Sequence, residues 1–404
     1  MHKLFIELLR ISVGSRLAQD SWLMNRECSA AEWLSVLEEA ERHAVVGIMV
    51  CGLDRLKTCG AKCMESMSQG LMLQWIGEVM QIEQRNALTT KVCGEVVGQM
   101  EKDWLRCCVL KGQANHRYYP KGIGNRRNCG DIDIWVEPIN SLKFSVESLE
   151  SVQRISSSRF KVQGAVREVL EYVDAHYERD GLCWLHCNFT DKSGVPVEVH
   201  FHPSFFSRPK YNRRFQRYFA DMEQCVERVK IDGVEIPAMK IEKDVIYQMN
   251  HIYRHLIDEG VGLRQVVDYY YLLVNGSRLM GHGFDKVATM QTVEWLGMKR
   301  FAGALMYVLR ELLGMPSEYL LCEPVEKDGK FLMEEILLSG NFGHNDPRMG
   351  QVASGGYLKS RMSQAWRRFK RNMRFVSSYP GEVIWEPIVR VEHFAWKKLK
   401  LWRY

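Results

Sequence analysis

The sequence predicts an α+β protein, a small mixed sheet flanked by N-terminal and C-terminal helical regions. Three observations predict it. Apolar residues recur at helical spacing through the first hundred positions, short strand-like apolar runs crowd the stretch from Cys107 to Ala238, and helical spacing returns after that. Four segments are expected: an N-terminal helical region over 1–106, an α/β core over 107–238, a helical subdomain over 239–338, and a loop with a basic C-terminal region over 339–404.

Taken in order, "SAAEWLSVLEEAERHAVVGIM" opens on Ser29 with Glu32 three residues on, a capping box, and Leu34, Leu37, Ala40 and Ala44 then recur at helical spacing. "QIEQRNALTTKVCGEVVGQMEKDWL" reads as a long helix leading into the core. "CCVLKG" is a strand closed by Gly112, "QANHRYY" a brief helix ended by Pro120, and "DIDIWV" a second strand. A polar, helix-capable stretch runs through "EVLEYVDAHYERD". "LCWLHCNF" and "VPVEVHF" flank "TDKSG" as a hairpin, and "VERVKIDGVEIP" forms another about Asp232-Gly233. Beyond Ala238, "EKDVIYQMNHIYRHLIDEG" and "LRQVVDYYYLLVNG" are helices separated by a glycine break. "SGNFGHNDPRMGQVASGGY" reads as a linker or mobile loop.

Composition narrows the class. A chain of 404 residues with 46% hydrophobic content can bury a sizeable core and is not disordered. No apolar run reaches the roughly 18 residues of a membrane span, and Glu7 and Arg10 interrupt the N-terminus where a signal peptide needs an apolar centre. The expected compartment is therefore the cytoplasm, and the twelve cysteines read as reduced thiols. Cys51, Cys59 and Cys63, and likewise Cys183, His186 and Cys187, lack the paired spacing of a structural zinc site; buried small hydrophobes are the plainer reading.

Charge is uneven. Residues 351–404 hold 12 Lys and Arg against 3 Glu, a net +9, which leaves −3 on the remainder of a chain whose total is +6. "RMSQAWRRFKRNMRF" interleaves five arginines and one lysine with Met362, Trp366, Phe369, Met373 and Phe375, a basic amphipathic helix. Residues 359–404 thus offer a face for nucleic acid or an anionic surface, or simply a solvated flank.

The chemistry concentrates in "CGDIDIWVEP". On a strand, residues i and i+2 share a face, so Asp131 and Asp133 project together. Two adjacent carboxylates repel unless something positive lies between them, and a divalent cation is the natural counterion. A solvated acidic edge is the alternative. Three neighbours favour the cation. Lys111-Gly112 ends the preceding strand, and glycine lets backbone approach a phosphate; Arg126 and Arg127 can meet triphosphate oxygens; and "VPVEVHFHP" carries Glu198 inside an apolar strand, where a lone carboxylate is costly. Glu198, His200 and His202 share a face by the same alternation.

"VLKG", "RRNCGDIDIWVEP", "VEVHFHP" and "HIYRHLIDEGVGLRQVVDYYYLL", in that order over Val109 to Leu273, resemble the uncharacterised nucleotidyltransferase family of bacteria, within the polymerase-beta-like superfamily. The resemblance implies a nucleotidyltransferase-type sheet in which Asp131 and Asp133 bind Mg²⁺, with Mn²⁺ as the substitute, and Glu198 is the third acid. It implies an NTP on Lys111, Gly112, Arg127 and Gly130, whose monophosphate passes to an unidentified acceptor: small molecule, RNA or protein. His200, His255, Arg264 and Asp268 are the substrate-side candidates. Arg264 and Asp268 also stand at i and i+4, where an ion pair is the plainer reading. The pattern departs from the superfamily in one place, since Gly112 has no glycine or serine beside it and lies 19 residues before Asp131. A different class is a non-catalytic nucleotide-binding or scaffolding module working through its basic tail.

Overall fold

The alternation in "DIDIWV" becomes a strand with one apolar and one functional face in a computed structural model that describes residues 3–139, 164–281, 283–341, 346, 348 and 357–399. The chain divides into two compact units: Met1–Ala87 with Tyr118–Asn128 and Gln248–Pro380, and Leu88–Arg117 with Cys129–Tyr247 and Gly381–Tyr404. Most of "SGNFGHNDPRMGQVASGGY", the start of the polar stretch before "EVLEYVDAHYERD" and the last five residues lie outside the described residues.

The second unit holds a mixed seven-stranded sheet. Its strands are β1 (Leu105–Leu110), β2 (Ile132–Pro138), β3 (Arg179–Leu182), β4 (His186–Thr190), β5 (Pro196–His200), β6 (Val226–Ile231) and β7 (Val234–Met239), in spatial order β3-β4-β5-β2-β1-β7-β6. β2 runs antiparallel to β1 and parallel to β5. Ile132, Ile134 and Val136 of β2 share a buried cluster with Val109, Val197, Val199 and Phe189. That cluster packs against Val92, Val96 and Met100 of the helix Gln69–Lys102 and Val169 and Val173 of the helix Gly164–His176. The opposite face carries Asp133 and Trp135, the latter edge-on to Phe219. At the β6–β7 hairpin, Asp232 and Gly233 both adopt positive φ, 48° and 89°, the turn that matches strand twist.

Two expectations need correction here. "LCWLHCNF" is not one strand: it breaks at Cys183–Leu185, so β3 and β4 are separate and only β4 pairs with β5 through "TDKSG". β2 begins at Ile132, so Asp131 lies just ahead of the strand.

Glu137 supplies a test of this unit. It lies opposite Arg106, and burial pushes its carboxyl up to about 7, an effect Arg106 only partly offsets. The folded value exceeds the ordinary 4.5, so between these pH values the folded chain holds a proton that the unfolded chain has released. Stability should therefore fall as pH rises through that window, by no more than about 1.4 kcal/mol per pH unit. Urea unfolding across the window should show that slope in wild type and a flatter one in Glu137→Gln; equal slopes would refute the assignment.

The first unit is helical. The capping box forms as expected, Ser29 accepting from the Glu32 amide while Glu32 accepts from the Ser29 amide. The face it leads buries Leu37, Ala40 and Ala44 as the spacing suggested, with one exception. Leu34 is 45% exposed, and Trp33, Val36, Leu37 and Ala40 form the buried stripe, because the large indole takes the interior position. Arg42 donates to the carbonyls of Leu337 and Leu338, satisfying the C-terminal end of the helix Glu326–Ser339. Gly47 lies so close to the Arg126 carbonyl that an added Cβ would sit 2.0 Å from that oxygen. Gly47→Ala should thus cost roughly 1–3 kcal/mol in thermal or urea unfolding; wild-type stability in that variant would contradict the contact.

Within the helix Tyr357–Phe375 the interleaved apolar residues part company: Trp366, Phe369 and Met373 are exposed while Phe375 is buried. Arg371 is buried too, donating to the Leu256 carbonyl. All twelve cysteines are free thiols. Among the described residues no helix is long and apolar enough to cross a membrane.

Candidate functional site

Four positions on three strands build the site. Parallel pairing of β2 and β5 sets Asp133 directly beside Glu198, and antiparallel pairing of β4 and β5 sets His186 beside His200. Glu198 and His200 are two residues apart on β5, so all four side chains lie on one face of adjoining strands. Asp131 reaches the same place from just before β2: ligand oxygens of Asp131, Asp133 and Glu198 lie within 4.8 Å of one another.

Lys111 arrives from the end of β1. Its φ is +47°, followed by +48° at Gly112, so the chain turns sharply where the strand stops. A lysine in this left-handed conformation is strained, and the strain delivers its ammonium to 3.1 Å from Asp133 Oδ1. His200 Nε2 reaches the same oxygen at 3.1 Å and Glu198 Oε2 at 3.4 Å. His186 Nδ1 is 3.2 Å from Glu198 Oε2, and its ring stacks on that of His200 with 16° between planes. Gly130 borders open space and has no conformational need for glycine.

The electrostatics favour ionised acids. Burial works to raise the Asp133 carboxyl, but Lys111 and His200 outweigh it and hold it below its ordinary value. Glu198 is likewise raised by burial, yet His186 and His200 hold it well below the usual carboxylate range. Burial disfavours the His186 imidazolium, but Cys183 and Glu198 push it up to about 10. Asp133 is 2% exposed and its Oδ2 is buried with no hydrogen-bond partner. A buried ionised oxygen left in that state is costly unless a cation meets it. The donor set, three carboxylates converging on one point, fits a divalent cation.

The remaining candidates belong to the first unit. Arg127 places Nε and Nη2 on the two oxygens of Asp268 at 2.6 and 2.7 Å, and Tyr119 donates to Asp268 Oδ1 at 2.6 Å. Burial raises Asp268, but Arg127 prevails and keeps it low. Asp268 is therefore bridged primarily to a residue 141 positions away, with Arg264 adding charge while donating to the Asn128 carbonyl at 2.8 Å. His255 packs edge-on to His251 and contacts Glu259 at 3.6 Å.

His186 is the residue whose place in this cluster the sequence did not announce. A signal existed: counting back from the "TDKSG" turn pairs Thr190 with Pro196 and brings His186 to His200.

The family model described as "Uncharacterised nucleotidyltransferase" matches residues 29–314. No curated protein matches the chain. Among solved structures, an antigenic nucleotidyltransferase-like protein from Paracoccidioides brasiliensis aligns at 11% identity and a TM-score of 0.28, covering 46% of this chain and 75% of that one. A score that low carries no weight for fold or function.

Proposed function

Because the chain belongs to the uncharacterised nucleotidyltransferase family, we propose that it transfers a nucleoside monophosphate from an NTP to an acceptor hydroxyl at the Asp131–Asp133–Glu198 platform. The observation that carries this reading is the convergence of three carboxylates, one with a buried unpartnered oxygen, two on adjoining parallel strands and Asp131 just ahead of one of them.

Asp131, Asp133 and Glu198 would hold Mg²⁺, with Mn²⁺ as the substitute. Such an ion would supply positive charge against the charge that develops on the phosphate oxygens. Lys111, on a rigid strand end, supplies a cation at the edge of the platform for the departing pyrophosphate. Gly112, buried at φ +48°, continues the sharp turn that follows Lys111 beside the Asp131 carbonyl. Glu198, held ionised by two imidazoles, serves better as a ligand than as a base. In the reaction the acceptor oxygen bonds to the α-phosphorus, the bond from that phosphorus to the bridging oxygen breaks, and the hydroxyl proton leaves to solvent or a neighbouring imidazole. Arg127 and Asp268 support the reading as framework: a bidentate buried pair fixes the Tyr118–Asn128 segment within its own unit. A role for His255 and Arg264 toward the acceptor is part of the same proposal.

The test uses each NTP labelled in turn at the α- or γ-phosphate, with Mg²⁺ and fractionated cell extract. Label should pass to an acceptor from the α position alone. Transfer from the γ position would mean phosphoryl transfer, and no transfer from any folded preparation would overturn the reading.

A further inference from the structure

His186 and His200 are not among the carboxylate ligands of the platform, yet they are built into it. Both sit on paired strands with their rings nearly parallel, 5.1 Å between centroids, and both place a nitrogen near Glu198 Oε2, with His200 Nε2 also 3.1 Å from Asp133 Oδ1. The two separations, 3.2 and 3.4 Å, are long for a hydrogen bond between an imidazolium and a carboxylate, which runs about 2.7–2.9 Å. His186 Nδ1 is buried and not aligned as a hydrogen bond to any acceptor. The same separations suit ligands of a common ion. Around a tetrahedral ion with bonds of about 2.0–2.1 Å, ligand atoms stand about 1.6 bond lengths apart, close to 3.3 Å. Cys183 Sγ accepts from the His186 backbone amide at 3.4 Å and so fixes the start of β4, where the ligating ring stands.

We propose that His186 Nδ1, His200 Nε2 and Glu198 Oε2 form a binding site for a divalent transition-metal ion of the Zn²⁺, Co²⁺ or Mn²⁺ class. Two imidazoles and a carboxylate select such ions over Mg²⁺ and Ca²⁺, which take oxygen ligands. The site shares Glu198 with the proposed nucleotide platform, but it stands on the imidazoles and does not require the transferase reading.

Co²⁺ is the probe. The full chain, stripped with chelator and titrated with Co²⁺, should bind one equivalent with visible ligand-field absorption. Zn²⁺ should displace it and millimolar Mg²⁺ should not. His186→Asn should weaken binding by roughly tenfold or more, whereas Glu137→Gln, on β2 but outside the cluster, should leave it close to wild type. Should His186→Asn fail to fold, electron-spin-echo spectra of bound Cu²⁺ in wild type decide instead, since nitrogen coupling from imidazole is required. Equal displacement by Mg²⁺, unchanged affinity in a folded His186→Asn, or absent nitrogen coupling would each overturn the site. An NTP-dependent rise in melting temperature with Mg²⁺ but no Co²⁺ site would sink this inference alone. Co²⁺ binding without any NTP effect supports it while counting against the transferase.

Discussion

Asp133→Asn is expected to abolish the stabilisation that an NTP with Mg²⁺ confers on the wild-type protein. A ligand present at a hundred times its dissociation constant stabilises the native state by about 2.7 kcal/mol, a readily measured rise in melting temperature. Asparagine keeps the volume of the side chain and removes its charge and one acceptor, so the packing survives while the buried cation-binding oxygen does not. The same change leaves Lys111 facing a neutral partner 3.1 Å away, so the unliganded variant should also lose roughly 1–3 kcal/mol. Adding Lys111→Met should recover part of that loss, because the orphaned charge goes with it. It should not recover the nucleotide effect. Restored nucleotide binding in the double variant would mean that Asp133 acts only as a structural partner of Lys111, which would remove the platform from the mechanism.

The largest effect on stability is expected from Asp268→Ala. Arg127 and Asp268 are both almost fully buried and joined through two charge-assisted hydrogen bonds, with the Tyr119 hydroxyl donating to the same carboxylate. Removing one partner of such a pair strands the other's charge in the interior, at about 3–5 kcal/mol. Asp268→Asn should cost less, since the amide oxygen still accepts from Tyr119 or Arg127. Urea unfolding ranks the two variants. A loss below about 1 kcal/mol in Asp268→Ala would mean that water reaches Arg127 and the pair is not sealed.

The secondary structure of the core was legible because its signals are local. Strand alternation in "DIDIWV", the Asp232-Gly233 turn and the Ser29–Glu32 cap each act over a few residues, and each formed. Where a local signal was ambiguous the reading slipped. Trp33 and Leu34 both fit a helical stripe, and only the packing around the indole chose between them. "LCWLHCNF" reads as one apolar run, and its break at Cys183–Leu185 follows from pairing on two sides.

By itself the sequence determined that two carboxylates stand beside one apolar strand, that a third lies in a second strand, and that helices precede and follow them. Those properties follow from residue spacing and side-chain alternation, signals that act over a few residues. Only the tertiary structure decided that β2 pairs with β5 in the register that sets Asp133 against Glu198 and that His186 and His200 stack beside them. It also decided that Lys111 turns back onto Asp133 and that Arg127 finds its partner 141 residues along the chain. Register between strands far apart in sequence is chosen by the total burial of both faces. That quantity belongs to the folded sheet and not to either strand alone.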